Sequence, residues 1–210
     1  MSLPLYTLSL FLPTIIKELG YSAAKAQLLS VPPYAVAFFL TIGVAIASEK
    51  THSRAPFIMG SSAIGCIRYI LLLSQHRAGV SYVGTIFAAA GIYPAVAIVL
   101  SWPANNVSGQ TKRCIANAMQ ISIGNLGAVL GTQLYRTETS PRYFLGHGFA
   151  LGYLVANIVV VGILWEVLRR ENAEKQRVRE AQGLSPLMGD VGDAEGEFQG
   201  DKDPRWVFQT

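Results

Sequence analysis

Uncharged stretches dominate the pattern of hydrophobic and polar positions in this chain. Five runs carry no Asp, Glu, Lys or Arg: 1–16, 26–48, 78–111, 114–135 and 143–165. A helix rises about 1.5 Å per residue, so about 20 apolar residues cross a hydrocarbon core of roughly 30 Å. Together with the apolar stretch that contains Arg68, the pattern predicts six membrane-spanning helices, over 1–19, 28–48, 56–74, 80–102, 114–135 and 148–168.

Composition agrees with this prediction. Hydrophobic residues make up 51% of the chain and charged residues only 14%, against about 25% charged in typical soluble domains. The formal net charge of +4 does not indicate nucleic acid as a partner, because most basic residues sit in short connections and in one tail. Cys66 and Cys114 lie in apolar segments without a CxxC, so neither a disulfide framework nor a metal site is predicted.

Small and polar residues gather on one side of the predicted helix 114–135. At helical spacing this face contains Asn117, Gln120, Gly124, Gly127, Ala128 and Gly131. Because a lipid-facing surface has no use for amides, we expect this helix inside the bundle. Two interpretations stay open: a packing helix whose amides are satisfied by neighbours, and a helix that lines a watery cavity.

Close helix packing is predicted where small residues recur four apart, as in GxxxG. The predicted packing positions are Gly84, Gly124, Gly127, Gly131, Gly148 and Gly152. Tyr93 and Pro94 lie deep in the span 80–102, where a proline frees a carbonyl and kinks the helix, so this pair is a candidate gate or binding element. Arg68 lies about two turns from the end of its span, so it either snorkels to the interface or meets a substrate.

The chain divides into two predicted parts. Residues 1–170 form a C-terminal six-helix transmembrane bundle, and 171–210 form a cytoplasmic, largely disordered tail. Residues 169–182 alternate charges and suit a solvated extension of the last helix, whereas 183–201 are Gly-rich and acidic. The start is apolar and lacks a basic n-region, so we expect the first helix to be a truncated span rather than a signal peptide.

Basic residues favour one orientation in the membrane. One side receives nine of them, namely Lys50, Arg54, Lys112, Arg113, Arg169, Arg170, Lys175, Arg177 and Arg179. The other side receives five, namely Lys17, Lys25, Arg77, Arg136 and Arg142. This bias predicts a cytoplasmic C-terminus. The acceptor pattern Asn106-Val107-Ser108 then lies on the cytoplasmic side, and we expect it to stay unglycosylated.

Seven strings, matched in order, resemble one family. They are Tyr6–Ile16, Gln27–Tyr34, Ala89–Pro94, Asn105–Arg113, Ala118–Gly127, Tyr135–Arg136 and Pro141–Tyr143. Together they are similar to the C-terminal half, helices seven to twelve, of a fungal major facilitator superfamily transporter of the allantoate permease or anion:cation symporter family. The similarity covers nearly everything from Tyr6 to Glu171, whereas the terminal string Asp203–Phe208 is only loosely similar to the family's pattern.

The resemblance implies half of a major facilitator fold, in an all-α integral membrane protein whose two six-helix halves hold the substrate between them. The implied substrate is a small organic anion, such as a carboxylate vitamin or a ureide, with or without a coupled proton. By helix position, the candidate cavity residues are Tyr6, Ser9, Tyr34, Tyr93, Gln120 and Asn125. Gln120 and Asn125 lie roughly 140° apart around one helix, so we expect one of them to be structural. No cofactor is implied, and the implied location is the plasma membrane.

Two other interpretations stay open. In such a family, most charged residues needed for ion coupling belong to the N-terminal half, which is absent from this sequence. The spans predicted here hold no acidic residue deep in the membrane. The chain is then a truncated, transport-inactive membrane protein, or a half-transporter that needs a partner. An intramembrane enzyme would need a nucleophile with a base or a metal cluster, but no HExxH occurs and His52, His76 and His147 stand singly. We therefore expect no enzyme.

Overall fold

The structure, a computed structural model, describes residues 2–18, 20–74, 78–134, 144–183 and 200–210. Every regular element in these ranges is helical. The helices are α1 Ser2–Glu18, α2 Ala23–Leu29, α3 Val31–Thr51, α4 Ala55–Ser74, α5 Ala78–Asn106, α6 Gln110–Leu134 and α7 Phe144–Gln182, and a 3-10 turn follows at Gly200–Lys202. The six predicted long helices all form, so the all-α fold class is confirmed. Helix α2 forms mostly between the predicted spans 1–19 and 28–48.

Three helical stretches among the described residues are long and apolar enough to cross a membrane, judged by length and composition. They are Ala23–Thr51, Tyr82–Asn106 and Gly148–Gln182. Helix α1 has 17 residues, fewer than a usual span. Helix α7 continues through the charged stretch to Gln182, so the predicted extension of the last helix is confirmed. The predicted connections at 75–77 and 135–143, and the acidic stretch 184–199, lie outside the described residues.

Helix α5 is the centre of the bundle, because it contacts α1, α3, α4 and α6. Its two sides belong to two separate apolar clusters. Towards α4 and α7 it contributes Ala95, Ile98 and Trp102, which pack with Ile58 and Leu154. Towards α1 and α3 it contributes Ala88, Ala89 and Ile92, which pack with Leu8, Leu12 and Ile16 of α1. Burial of apolar side chains on both sides fixes α5 between its neighbours.

Among the glycines that the structure describes, Gly91 of α5 lies in the tightest contact with a neighbouring helix. A Cβ added there would lie 2.4 Å from the backbone N of Gly65 and 2.5 Å from the carbonyl O of Ser61. Only glycine fits, because the obstructing atoms belong to the backbone of α4. Of the predicted packing glycines, a Cβ at Gly84 would meet Arg68 Cγ at 3.7 Å, whereas Cβ atoms at Gly148 and Gly152 would meet nothing within 4 Å. The remaining predicted packing roles, at Gly124, Gly127 and Gly131, stay predictions.

Helix α6 differs from the prediction that it lies inside the bundle. None of its described side chains is buried: its small and polar face, including Asn117, Gln120 and Gly124, is half-buried, and its apolar face is exposed. Helix α6 contacts α1 and α5. The predicted division into two faces is therefore right, but α5 rather than α6 occupies the interior.

Arg68 of α4 lies buried against α5 and is only 2% exposed. Its guanidinium carbon lies 5.5 Å from the centroid of the Tyr69 ring, and Nε and Nη1 have no hydrogen-bond partner among the described residues. The snorkelling interpretation expects the side chain of Arg68 to extend to the protein surface. The buried position of Arg68 does not agree with that expectation.

Residues 200–210, which we name the terminal segment, pack against the start of α4, the end of α5 and the charged part of α7. Asn172 of α7 bonds Phe208, Asn106 of α5 bonds Gln209, and the N–H groups of Arg54 and Ala55, at the start of α4, donate to the carbonyl of Thr210. The predicted boundary between bundle and tail stays a prediction. The contacts place the α3–α4 turn, the α5–α6 turn and the charged part of α7 at one end of the molecule.

Candidate functional site

Four helices bring five of the six candidate cavity residues into two contact groups, a hydrogen-bonded pair and a group of three, and one face of α1 contributes a residue to each. The Tyr6 hydroxyl donates to Asn125 Oδ1 at 2.7 Å, which joins α1 to α6. Ser9 Oγ and the Tyr93 hydroxyl lie 2.8 Å apart, which joins α1 to α5. The rings of Tyr34 and Tyr93 meet edge to face at a centroid distance of 5.8 Å, which joins α3 to α5. We name these five residues the tyrosine cluster.

Local helix geometry explains why these side chains meet. Tyr6 and Ser9 are three residues apart, so they project from the same face of α1. Tyr93 follows Gly91 by two residues, or about 200° around the helix, so it points away from α4. Pro94 lacks an N–H and leaves the carbonyl of Ala90 without its usual helical donor, which is tolerated where neighbours or water reach the backbone.

Gln120, the sixth candidate, has a different partner. Its Nε2 donates to the carbonyl of Val99 in α5 at 2.8 Å. This carbonyl precedes Pro103 by four residues, and Pro103 lies inside α5 and cannot donate to it. Gln120 thus replaces the missing helical hydrogen bond. Since Asn125 bonds Tyr6 of α1, the two amides face different neighbours, and the expectation that one of them is structural stays a prediction.

The tyrosine cluster consists of hydroxyls, one amide and aromatic rings, and contains no charged residue. Such groups can donate hydrogen bonds to a carboxylate or carbonyl and can present ring faces and edges to a planar ligand. Arg68 lies on α4, on the opposite side of α5. Among the described residues, no group of three or more His, Cys, Asp or Glu could hold a metal ion.

Sequence reasoning did not select Asn117, which the structure shows to have a notable environment. Asn117 Oδ1 and Gln120 Oε1, three residues apart on α6, are buried acceptors without a donor among the described residues. Buried polar atoms usually have a hydrogen-bond partner. The signal was present, since Asn117 shares the small and polar face of α6, but position on a face does not show which atoms lack partners.

Comparison with known proteins finds fungal transporters. The chain is 39% identical over 177 residues to an uncharacterized transporter of Schizosaccharomyces pombe, covering 84% of this chain and 36% of that protein. It is 35% identical over 180 residues to an MFS-type transporter, cnsO, of Penicillium expansum, covering 83% and 35%. It is 29% identical over 176 residues to a high-affinity nicotinic acid transporter of Saccharomyces cerevisiae, covering 82% and 32%.

No protein-family profile matches the chain, and no solved structure matches it. The chain spans only about a third of the length of the curated relatives that it matches. These relatives are transporters rather than enzymes, and the apolar helices agree with an integral membrane protein. Over most of its length, this all-α membrane bundle is therefore similar to fungal transporters of the MFS type.

Proposed function

We propose that this chain is the C-terminal half of a secondary active transporter of the allantoate permease or anion:cation symporter family. Its substrate is a small organic anion such as a carboxylate vitamin or a ureide, bound between this half and an N-terminal six-helix half. The transporter resides in the plasma membrane, with the terminal segment in the cytoplasm. A coupled proton would use groups of the other half, because the tyrosine cluster holds no acidic residue.

The observation that carries the proposal is the tyrosine cluster. Its five polar side chains come from α1, α3, α5 and α6. Three contacts arrange them as the pair Tyr6–Asn125 and the group of Ser9, Tyr93 and Tyr34, and α1 contributes one residue to each. Four helices that turn polar groups towards one another in an otherwise apolar bundle are typical of a substrate path. The high-affinity nicotinic acid transporter among the relatives supports a planar carboxylate as one member of the substrate class.

The structure also supports the proposed orientation. The contacts of the terminal segment hold the α3–α4 turn, the α5–α6 turn and the end of α7 together. These regions carry the nine basic residues counted for one side of the membrane. The nine residues therefore lie at the same end of the bundle, as the orientation requires. Asn106 uses its side chain to bond Gln209, which is a further reason to expect no glycan there.

Uptake measurements test the substrate site. The gene is restored to the full length of its relatives, and Ser9→Ala and Tyr93→Phe are compared with Tyr21→Phe, an exposed tyrosine between α1 and α2. Labelled nicotinate, allantoin and a neutral analogue are the probes. Loss of one hydrogen bond is worth roughly a factor of five in affinity. We expect KM for one anion to rise about fivefold in both cluster variants and to stay unchanged in Tyr21→Phe. Unchanged KM and maximal rate in both cluster variants would contradict the site.

A half-transporter that needs a partner is the second candidate, because the chain covers about a third of its relatives. The native mass separates the two candidates. An epitope tag is placed at the chromosomal locus near residue 190, which leaves the terminal segment unaltered. A band larger by a further six-helix half indicates one long transporter. A band of the size of this chain indicates a half, and its uptake should then depend on a co-purifying membrane protein.

A further inference from the structure

The terminal segment occupies a groove at one end of the bundle. The groove is formed by Arg54 at the start of α4, Trp102, Asn105 and Asn106 of α5, and Asn172 and Lys175 of α7. These side chains all present donors to the segment. The apolar core beneath them includes Trp102, and Phe208 of the segment packs against that core.

Two asparagines bind the main chain of the segment in the same way. Asn172 Nδ2 donates to the Phe208 carbonyl at 2.8 Å, and its Oδ1 accepts from the Phe208 N–H at 2.9 Å. Asn106 Nδ2 donates to the Gln209 carbonyl at 3.0 Å, and its Oδ1 accepts from the Gln209 N–H at 2.7 Å. Each amide satisfies both polar groups of one peptide residue, as a neighbouring strand does in a sheet.

Side chains of the segment add specificity to this main-chain binding. Gln209 Oε1 accepts from Arg54 Nε at 2.7 Å and from Asn105 Nδ2 at 2.9 Å. Lys175 Nζ lies 4.0 Å from the centroid of the Phe208 ring, in cation–π contact. Trp206 is only 5% exposed. The groove therefore selects for an aromatic residue followed by glutamine.

A second attachment fixes the beginning of the segment. Asp201 Oδ1 accepts from the N–H of Ser108 in the α5–α6 turn, and Asp201 Oδ2 lies 3.6 Å from Lys112 Nζ of α6. Partial burial raises the pKa of the Asp201 carboxyl, but hydrogen bonds from Ser108 and the charge of Lys112 outweigh it and bring the pKa below its ordinary value. Gly200 has a φ of 70°, and a Cβ there would lie 3.0 Å from Ser108 Oγ.

We propose that this groove is a peptide-binding site whose ligand is the terminal segment of the same chain, and that the bound segment straps the ends of α4, α5 and α7 together. Without the segment, Asn105, Asn106, Asn172 and the Trp102 indole would lose these acceptors at the same time, and Arg54 would keep only Ser101 and Glu49. Helix α5 runs from Tyr93 in the tyrosine cluster to Trp102 in the groove, about 14 Å along the helix. The strap thus holds the far end of the central helix. It does not depend on which substrate is transported.

Zero-length carbodiimide cross-linking reads out the strap in the complete chain. The 3.6 Å contact between Lys112 and Asp201 should give an amide between α6 and the terminal segment, measured by mass spectrometry after proteolysis. Lys112→Arg removes the amine and must abolish this product. Two variants then test the strap: Asn106→Ala/Asn172→Ala removes the groove's main-chain contacts, and Phe208→Ala/Gln209→Ala changes only the segment.

We expect the Lys112–Asp201 product to fall at least threefold in both variants, because each removes several hydrogen bonds or packing contacts and one hydrogen bond is worth roughly a factor of five. The matched control is Asn157→Ala, also on α7 but about 22 Å along the helix from Asn172, and it should leave the yield unchanged.

The segment variant decides between binding and folding. It alters no helix residue, so a fall in yield with an unchanged free energy of unfolding of the bundle indicates loss of binding. An unchanged yield in Phe208→Ala/Gln209→Ala would overturn the proposal, whether or not the asparagine variant loses the product. A free peptide of residues 200–210, added to the chain that carries Asp201→Asn together with Phe208→Ala/Gln209→Ala and therefore holds its own segment weakly, should become joined to Lys112, and a scrambled peptide should not. If the free peptide is not joined to Lys112 at millimolar concentration, the result would also contradict the proposal that the groove is a peptide-binding site.

Discussion

Helices α5 and α6 are both long and rich in small residues, and α6 carries charge only in its first turn, at Lys112 and Arg113, yet the structure uses the two helices differently. In α5, 56% of the most apolar 18 residues are buried. In α6 no described side chain is buried, and Ile123 and Leu126 are 65% and 67% exposed. In a bilayer this difference is not a defect of α6, since lipid accepts apolar side chains as readily as protein does. What distinguishes α5 is contact with four helices through glycine and alanine.

Hydropathy alone does not rank the helices by burial, because the equally apolar stretches Tyr82–Asn106 and Gly148–Gln182 have 56% and 17% of their most apolar 18 residues buried. Ala88, Ala89 and Ile92 pack one side of α5 while Ala95 and Ile98 pack the other, and Gly91 lets the α4 backbone approach. Helix α6 supports α5 at one particular point, the hydrogen bond from Gln120 to the Val99 carbonyl. Substitutions on the two helices should therefore differ in size and in kind.

Gly91→Ala should have the largest effect. The new Cβ would lie 2.4 Å from a backbone atom of α4, and overpacking against backbone costs about 3 kcal/mol or more. The measurement is the free energy of unfolding of the purified chain by SDS titration. Gly152→Ala, whose Cβ would meet nothing within 4 Å, is the matched control and should be neutral or gain up to about 1 kcal/mol. Equal changes in the free energy of unfolding at both positions would contradict the conclusion that α5 packs more tightly at Gly91 than α7 does at Gly152.

Gln120→Ala should cost about 1–3 kcal/mol, because it leaves the Val99 carbonyl buried without a donor. The cost should nearly vanish when Pro103→Ala is also present, since residue 103 then supplies its own N–H to that carbonyl. A double-mutant cycle on the free energy of unfolding measures this coupling. If Gln120→Ala costs the same in both backgrounds, the amide has another role.

Tyr93→Phe and Tyr6→Phe compare the two halves of the tyrosine cluster. The Tyr93 bond to Ser9 lies on α5 and is part-buried, so its loss should cost about 1 kcal/mol. The hydrogen bond from Tyr6 of α1 to Asn125 of α6 is exposed, so its loss should cost about half as much. Both values come from the same unfolding titration. A larger cost for Tyr6→Phe would indicate that α6 is more deeply packed than α5 at this level.

Ile123→Ala should have the smallest effect, less than about 0.5 kcal/mol, because the side chain of Ile123 is 65% exposed. The matched substitution on the central helix, Ile92→Ala, removes a fully buried side chain and should cost about 2–5 kcal/mol. Thermal unfolding in one detergent compares the pair. Similar melting temperatures for the two variants would show that α6 packs against more protein than the described residues provide.

Much of the candidate site was predictable, because helix position and residue type are local properties. Tyr6, Ser9, Tyr34, Tyr93 and Asn125 were selected as polar residues on predicted cavity helices. The structure pairs Tyr6 with Asn125 and groups Ser9 and Tyr34 around Tyr93, and their role in a substrate cavity stays a prediction. Gln120 was selected on the same grounds, but its partner is a carbonyl freed by Pro103, and Gln120 lies 21 residues from Val99. No local pattern connects an amide on one helix with a proline on another.

The sequence by itself determined that the chain forms long apolar helices, where they begin and end to within a few residues, and that α6 has one small and polar face. Spacing along the chain suffices for this, because helical period and span length are local. Only the tertiary structure decided that α5 is central, that Gly91 lies in the tightest helix contact among the described glycines, and that the terminal segment binds between α4, α5 and α7. Asn106 and Gln209 are 103 residues apart. Such contacts depend on which helix surfaces meet after the helices have formed. The order of hydrophobic and polar residues along the chain does not specify those pairings.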